Sequence, residues 1–220
     1  MHTSLSRMRP LIVLGMIALA ACQPTDKNQA PTGVVAKAMD EAAKGLGEAS
    51  QEMDKARDEI ATARDRLARE NISLNRNEKQ HLPKAEITPA GDLMIEGKAV
   101  ATTPEQQALV LAYRGELLGV VGDGMAIGME GARVGIDAAA SALKGVLAGQ
   151  DGDQIGKQVG EQAKAKIQPM VAQLCTRLPG LLSAQQALSA ALPEFAPYAT
   201  MDQADVDDCG DANGDGNWTF

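Results

Sequence analysis

Apolar residues recur at every seventh position from Met39 to Leu67. Met39, Leu46, Met53, Ile60 and Leu67 form one row, and Ala42, Ala49, Ala56 and Ala63 form a second, three places further on. Such a 3-4 seam is the pattern of a coiled coil or of a long helix docked in a groove. It predicts a helix over 34–69. Acids gather in its first half (Asp40, Glu41, Glu48, Glu52) and bases in its second (Arg57, Arg64, Arg66, Arg69), an order that suits the helix dipole. Asp40–Lys44 and Asp65–Arg69 are spaced to pair along it. Alanine at every second seam position admits a close partner helix. The pattern leaves open whether that helix belongs to the same domain or to another chain.

After Arg69 the period shortens towards two. Asn71-Ile72-Ser73-Leu74 alternates, and Ala85–Thr88 and Leu93–Glu96 flank Pro89-Ala90-Gly91-Asp92. Two short apolar runs around such a turn predict a β-hairpin. Gly97-Lys98 predicts the next turn. Strands this short need a helix to cover them.

Thr103-Pro104-Glu105 is a helix start, with Thr as N-cap, Pro at the first helical position and an acid in the first turn. The apolar pattern runs to about Val121, and Gly122-Asp123-Gly124 predicts a break. A second helix is expected over about 125–148. On it Glu130, Arg133, Asp137, Ser141 and Lys144 fall in one stripe, with Gly124, Gly128, Gly131 and Gly135 opposite. The glycine side is expected to be crossed tightly by another helix, or to receive an acyl chain or partner helix. A third helix from about Asp153 carries Ile155, Val159, Ala163, Ile167, Met170, Val171, Leu174 and Leu178 on one face. Pro169 predicts a kink, Pro179-Gly180 a stop, and Ser183-Ala184-Gln185-Gln186 the start of a short helix.

The amino-terminal stretch changes the picture. Arg7 and Arg9 precede an apolar run from Leu11 to Leu19, then Ala20-Ala21-Cys22. A bilayer span needs roughly 20 apolar residues, whereas a basic segment, a short apolar run and small residues make a secretory signal. Cys22 at that place predicts a bacterial lipoprotein, with a diacylglyceryl thioether and an acylated amine on the first mature residue. An ordinary signal peptide with an incidental Cys22 is the alternative. Gln23 resembles the outer-membrane sorting pattern of Gram-negative lipoproteins, which implies the periplasmic face of the outer membrane. Removal of 1–21 leaves 19 bases against 29 acids, a net charge of −10. That sign disfavours nucleic acid and anionic lipid surfaces as partners, since both need a basic footprint.

Candidate chemistry is sparse. His81 is the one histidine of the mature chain, in a polar stretch, and no serine or cysteine has a nucleophile setting such as G-x-S-x-G. Five aromatic residues are too few for sugar platforms or single-strand grooves. No paired-carboxylate site stands out, so a carboxylate hydrolase is the weakest reading. Cys175 and Cys209 remain as an even pair, and an oxidising periplasm predicts a disulfide between them; two free thiols are the alternative. Asp211, Asn213 and Asp215 match the first half of a calcium loop, but its twelfth position would be residue 222, past Phe220. An acidic, Gly-rich tail held by Cys209 is the plainer reading. No metal and no cofactor are expected.

The run Ala85-Glu86-Ile87-Thr88-Pro89-Ala90-Gly91-Asp92-Leu93-Met94-Ile95-Glu96-Gly97-Lys98, the helix start Thr103-Pro104-Glu105-Gln106 and Tyr113-Arg114 resemble the YggN-like family of bacterial periplasmic proteins over about 70–200. That resemblance implies no assigned activity and no catalytic residues. The expected fold class is α+β, mostly α: a heptad helix, a small antiparallel sheet and a Gly/Ala-rich helical bundle. The expected organisation is a signal peptide (1–21), a lipidated tether (22–33), the heptad helix (34–69), an α+β domain (70–200) and an acidic tail (201–220). The expected role is non-catalytic: a lipid-anchored envelope protein making helix-mediated contacts with an envelope protein, a lipid or its own copies. A periplasmic carrier of a small apolar ligand is the alternative.

Overall fold

The computed structural model describes residues 33–75 and 82–210. Helix α1 (Gly33–Arg69) leads into a four-stranded antiparallel sheet of β1 (Ile72–Ser73), β2 (Ala85–Ile87), β3 (Leu93–Ile95) and β4 (Lys98–Ala99), in that order across the sheet. Helices α2 (Pro104–Leu147) and α3 (Gly152–Ala191) follow, then a 3-10 turn (Ala196–Tyr198) and α4 (Gln203–Asp207). The fold is α+β and mostly α.

Turn chemistry sets the sheet. Pro89 follows Thr88, and the Gly91 N–H donates to the Thr88 carbonyl at 3.1 Å. Gly91 has φ +90°, which bulges the strand end before Ile87 pairs with Leu93. The Thr88 hydroxyl fixes the loop, accepting from the Asp92 N–H at 3.0 Å and donating to the Asp92 carboxylate at 3.0 Å. Glu96 and Gly97 both have positive φ, 49° and 73°, making a two-residue turn between β3 and β4.

The sheet buries Ala85, Ile87 and Leu93 against Val110, Tyr113 and Leu117 of α2 and Leu181 and Leu188 of α3. Leu192, Phe195 and Tyr198 close this core. The Tyr113 and Phe195 rings meet edge to face, 5.0 Å between centroids. The N-cap expected at Thr103 is formed, and it is closed as a capping box. The Gln106 N–H donates to Thr103 Oγ1 at 3.2 Å, and the Thr103 N–H to Gln106 Oε1 at 2.9 Å. Gln106 Nε2 also reaches the Ala191 carbonyl at 2.7 Å, joining the start of α2 to the end of α3.

Beyond this head, α2 and α3 run on as an antiparallel hairpin. Two predicted breaks are corrected. Gly122-Asp123-Gly124 lies inside a continuous α2, and Pro179-Gly180 lies inside a continuous α3, so no separate helix starts at Ser183. An interior glycine costs ~1 kcal/mol and an interior proline ~3 kcal/mol relative to alanine. Tertiary contacts offset those costs here. Asp123 pairs with Arg177 of α3, whose side chain crosses Gly119. Leu174, Leu181, Leu182 and Leu188 are buried on both sides of Pro179.

The sidedness of α2 is corrected as well. An added Cβ at Gly124, Gly128, Gly131 or Gly135 would meet nothing within 4 Å, and the last three are exposed. No helix crosses them tightly. The charged stripe lies closer to α3: Glu130 is half-buried, Val134 is buried, and Lys166 sits 3.8 Å from Glu130 and 3.3 Å from Asp137. Glycine offers little side-chain area to bury, so Ile127, Val134 and Ala138 decide which side turns inward. The close approach is at Gly145, where a Cβ would come 2.4 Å from Ile155 Cδ1.

Candidate functional site

Helix α1 lies along α2 in the opposite direction, making a three-helix arm. Arg114 sets its carboxyl-terminal end. This guanidinium is 4 % exposed and donates from Nη2 to the Leu67 carbonyl at 2.7 Å and the Glu70 carbonyl at 2.9 Å, and from Nη1 to the Ile87 carbonyl at 3.1 Å. The last carbonyls of a helix lack intrahelical partners and carry partial negative charge, so a cation there is favourable. Burial pushes the guanidinium below its ordinary pKa, while the group stays charged at neutral pH. Further along, Arg64 donates to the Gly122 carbonyl at 2.7 Å. Further still, Ser50, Met53, Asp54 and Arg57 line a groove of about 200 Å³ with Arg133, Ile136 and Asp137.

The seam residues Met39, Leu46, Met53, Ile60 and Leu67 are each half-buried. The seam thus faces α2 of its own chain and is covered in part. Of the pairs expected on α1, Arg69–Asp65 forms at 2.9 Å, and Lys44 pairs with Glu48 rather than Asp40.

Cys175 and Cys209 are disulfide-bonded, 34 positions apart, and join α3 to the end of α4. Gln185 holds the same segment through both ends of its amide: Nε2 donates to the Met201 carbonyl at 2.7 Å and Oε1 accepts from the Met201 N–H at 3.1 Å. Cys22, His81 and the calcium-loop fragment Asp211, Asn213, Asp215 lie outside the described residues.

Among the described residues, no group of three His, Cys, Asp or Glu side chains is placed to share a metal ion. The α1–α2 groove is below the ~300–1,000 Å³ of small-molecule sites, and Asp54, Arg57, Arg133 and Asp137 line it beside Met53 and Ile136. Among the described residues, no helix is long and apolar enough to cross a membrane.

Sequence patterns missed Arg114 and Lys166. Arg114 is the one cation among the apolar residues of 108–121, which was its available signal. Nothing in the spacing of Lys166 marks its reach to Glu130 and Asp137. Comparison with protein-family models, curated proteins and solved structures returns no match.

Proposed function

We propose that this chain is a lipid-anchored, non-catalytic protein of the bacterial envelope, at the periplasmic face of the outer membrane. Its helical arm makes the contacts, with a protein partner or with lipid, and carries the α+β head. The observation that carries this reading is the order Leu19-Ala20-Ala21-Cys22 behind Arg7 and Arg9, eleven positions before the arm begins at Gly33. The exposed face of α2 at Gly128, Gly131 and Gly135 and the half-covered seam of α1 support contact through the arm. The resemblance of 70–200 to YggN-like periplasmic proteins suits the same compartment. A mature charge of −10 favours partners other than nucleic acid.

Photo-crosslinking in intact cells tests the contact role. A photoreactive residue at exposed positions of the arm (Gln51, Ala132) is expected to give discrete adducts with protein or lipid. One at Lys98, on the head, is expected to give none. Adducts from the head alone would contradict the reading.

A further inference from the structure

Two antiparallel helices carry the same short pattern into one groove. Helix α1 contributes Met53, Asp54 and Arg57, and α2 contributes Arg133, Ile136 and Asp137. Spacings of three and four residues put each set on one helix face. Because α1 and α2 run in opposite senses, Arg57 and Arg133 both lie towards the head, and Asp54 and Asp137 both lie away from it. At about 1.5 Å per residue, each arginine stands roughly 4.5–6 Å along the axis from the aspartate of its own helix. The groove is therefore polarised, basic at one end and acidic at the other.

Its charges are largely unpaired. Arg133 is exposed and, among the described residues, pairs with no carboxylate. Arg57 lies 4.0 Å from Asp54, with side chains 66 % and 82 % exposed, a pair worth little in water. Lys166 of α3 reaches one oxygen of Asp137 at 3.3 Å, and a carboxylate accepts more than one donor.

We propose that this groove binds a small zwitterion, with an oxyanion on Arg57 and Arg133 and a primary ammonium on Asp54 and Asp137. Two guanidinium groups from different helices present more donors than a two-oxygen carboxylate takes up. A phosphate oxyanion, with more acceptor oxygens, suits both forks. Among the described residues no aromatic side chain lines the groove, which disfavours a quaternary ammonium; the two carboxylates accept N–H bonds from a primary one. The axial offset sets the link between the charges at about two or three carbons. A groove of about 200 Å³ equals roughly seven waters at ~30 Å³ each, the size of such a group. The ligand class is an aminoalkyl phosphate, either free or as the head group of a phospholipid. The site stands on α1 and α2 alone and holds whether or not Cys22 is lipidated.

Calorimetric titration of the full chain with O-phosphoethanolamine tests the site. A Kd of about 0.1–1 mM is expected, the scale for so few atoms. Arg57→Gln and Arg133→Gln are each expected to weaken binding on the order of tenfold, through loss of a charge-assisted bond. Both side chains are exposed, so the fold is retained. Arg69→Gln, on α1 outside the groove, is expected to change nothing. Inorganic phosphate and ethanolamine, each with one of the two charges, are expected to bind about tenfold more weakly or less. Inorganic phosphate that binds as tightly as the amino ester overturns the zwitterion. Binding that survives both arginine substitutions, or no binding up to about 10 mM, overturns the site. Dihexanoyl phosphatidylethanolamine below its micelle concentration separates the sources. Displacement of the free ester supports a lipid head group as the occupant, and lack of displacement supports the free ester.

Discussion

Arg114 of α2 donates to the Leu67 carbonyl in the last turn of α1, at 2.7 Å, from a site 4 % exposed to solvent. With its bonds to the Ala68 and Glu70 carbonyls, this contact joins the end of the arm's first helix to the core of the head. The same guanidinium holds the Ile87 carbonyl of β2, so helix, sheet and arm meet on one side chain.

Arg114→Met keeps much of the side chain's volume and removes the charge-assisted bonds. It is expected to cost about 2–3 kcal/mol, since hydrogen bonds to charged groups are worth ~1.5–3 kcal/mol. Arg114→Lys is expected to recover little, because one ammonium lacks the two-nitrogen fork that spans both sets of carbonyls. Arg64→Ala, on the exposed side, is expected to cost under ~1 kcal/mol. Urea unfolding midpoints and the rate of protease cleavage within α1 check the order.

Two hairpin glycines are required for different reasons. Gly97 has φ +73° and open space above it, so Gly97→Ala carries only the conformational cost, ~1–2 kcal/mol. Gly91 has φ +90°, and a Cβ there would lie 2.7 Å from Leu111 Cγ. Gly91→Ala is therefore expected to destabilise more, by pushing the hairpin off α2. Thermal melts of the two variants side by side read the difference.

Reduction of Cys175–Cys209 is expected to cost about 2–4 kcal/mol, as for a loop of this size. Its local effect is confined to the end of the chain, because the Gln185 amide still holds Met201. Melting with and without reductant gives the magnitude. Hydrogen exchange locates it, with faster exchange expected in 203–208 and little change in the sheet.

Tyr198 supplies a pH limb. Burial, then the nearby Glu96 charge, holds its phenol above the ordinary tyrosine value, and its hydroxyl donates to the Pro83 carbonyl at 2.9 Å. A folded-state value above the unfolded one means the contribution is full below about pH 10 and is lost as pH rises through the folded value. Tyr198→Phe is expected to cost ~1 kcal/mol at neutral pH and to remove that alkaline loss. Stability measured from neutral to alkaline pH in both proteins checks the sign.

Periodicity made the elements legible, and it failed where packing overrides local cost. The hairpin at Pro89-Ala90-Gly91-Asp92 and the cap at Thr103 depend on short-range chemistry, and both stand where the residues placed them. The heptad row runs along α1, and its Met, Leu and Ile residues are half-buried. Gly122-Asp123-Gly124 and Pro179-Gly180 carry strong local signals for a break, yet Asp123–Arg177 and the leucines around Pro179 hold both helices through them. The glycine stripe misled for a related reason. A face of Gly128, Gly131 and Gly135 has no intrinsic preference for the inside, and neighbouring Ile127 and Val134 set the orientation. The proposed contact role of the arm rests in the sequence on Cys22 and the seam alone. Arg114 and the groove shared by Arg57 and Arg133 needed three-dimensional placement.

The most direct test of the envelope role is the mass of the amino-terminal peptide from protein purified out of bacterial membranes. The account predicts a chain that starts at Cys22 and carries a diacylglyceryl group on sulfur and an acyl group on the amine. A chain that retains residues 1–21, or one that starts elsewhere with the Cys22 sulfur free, would contradict it.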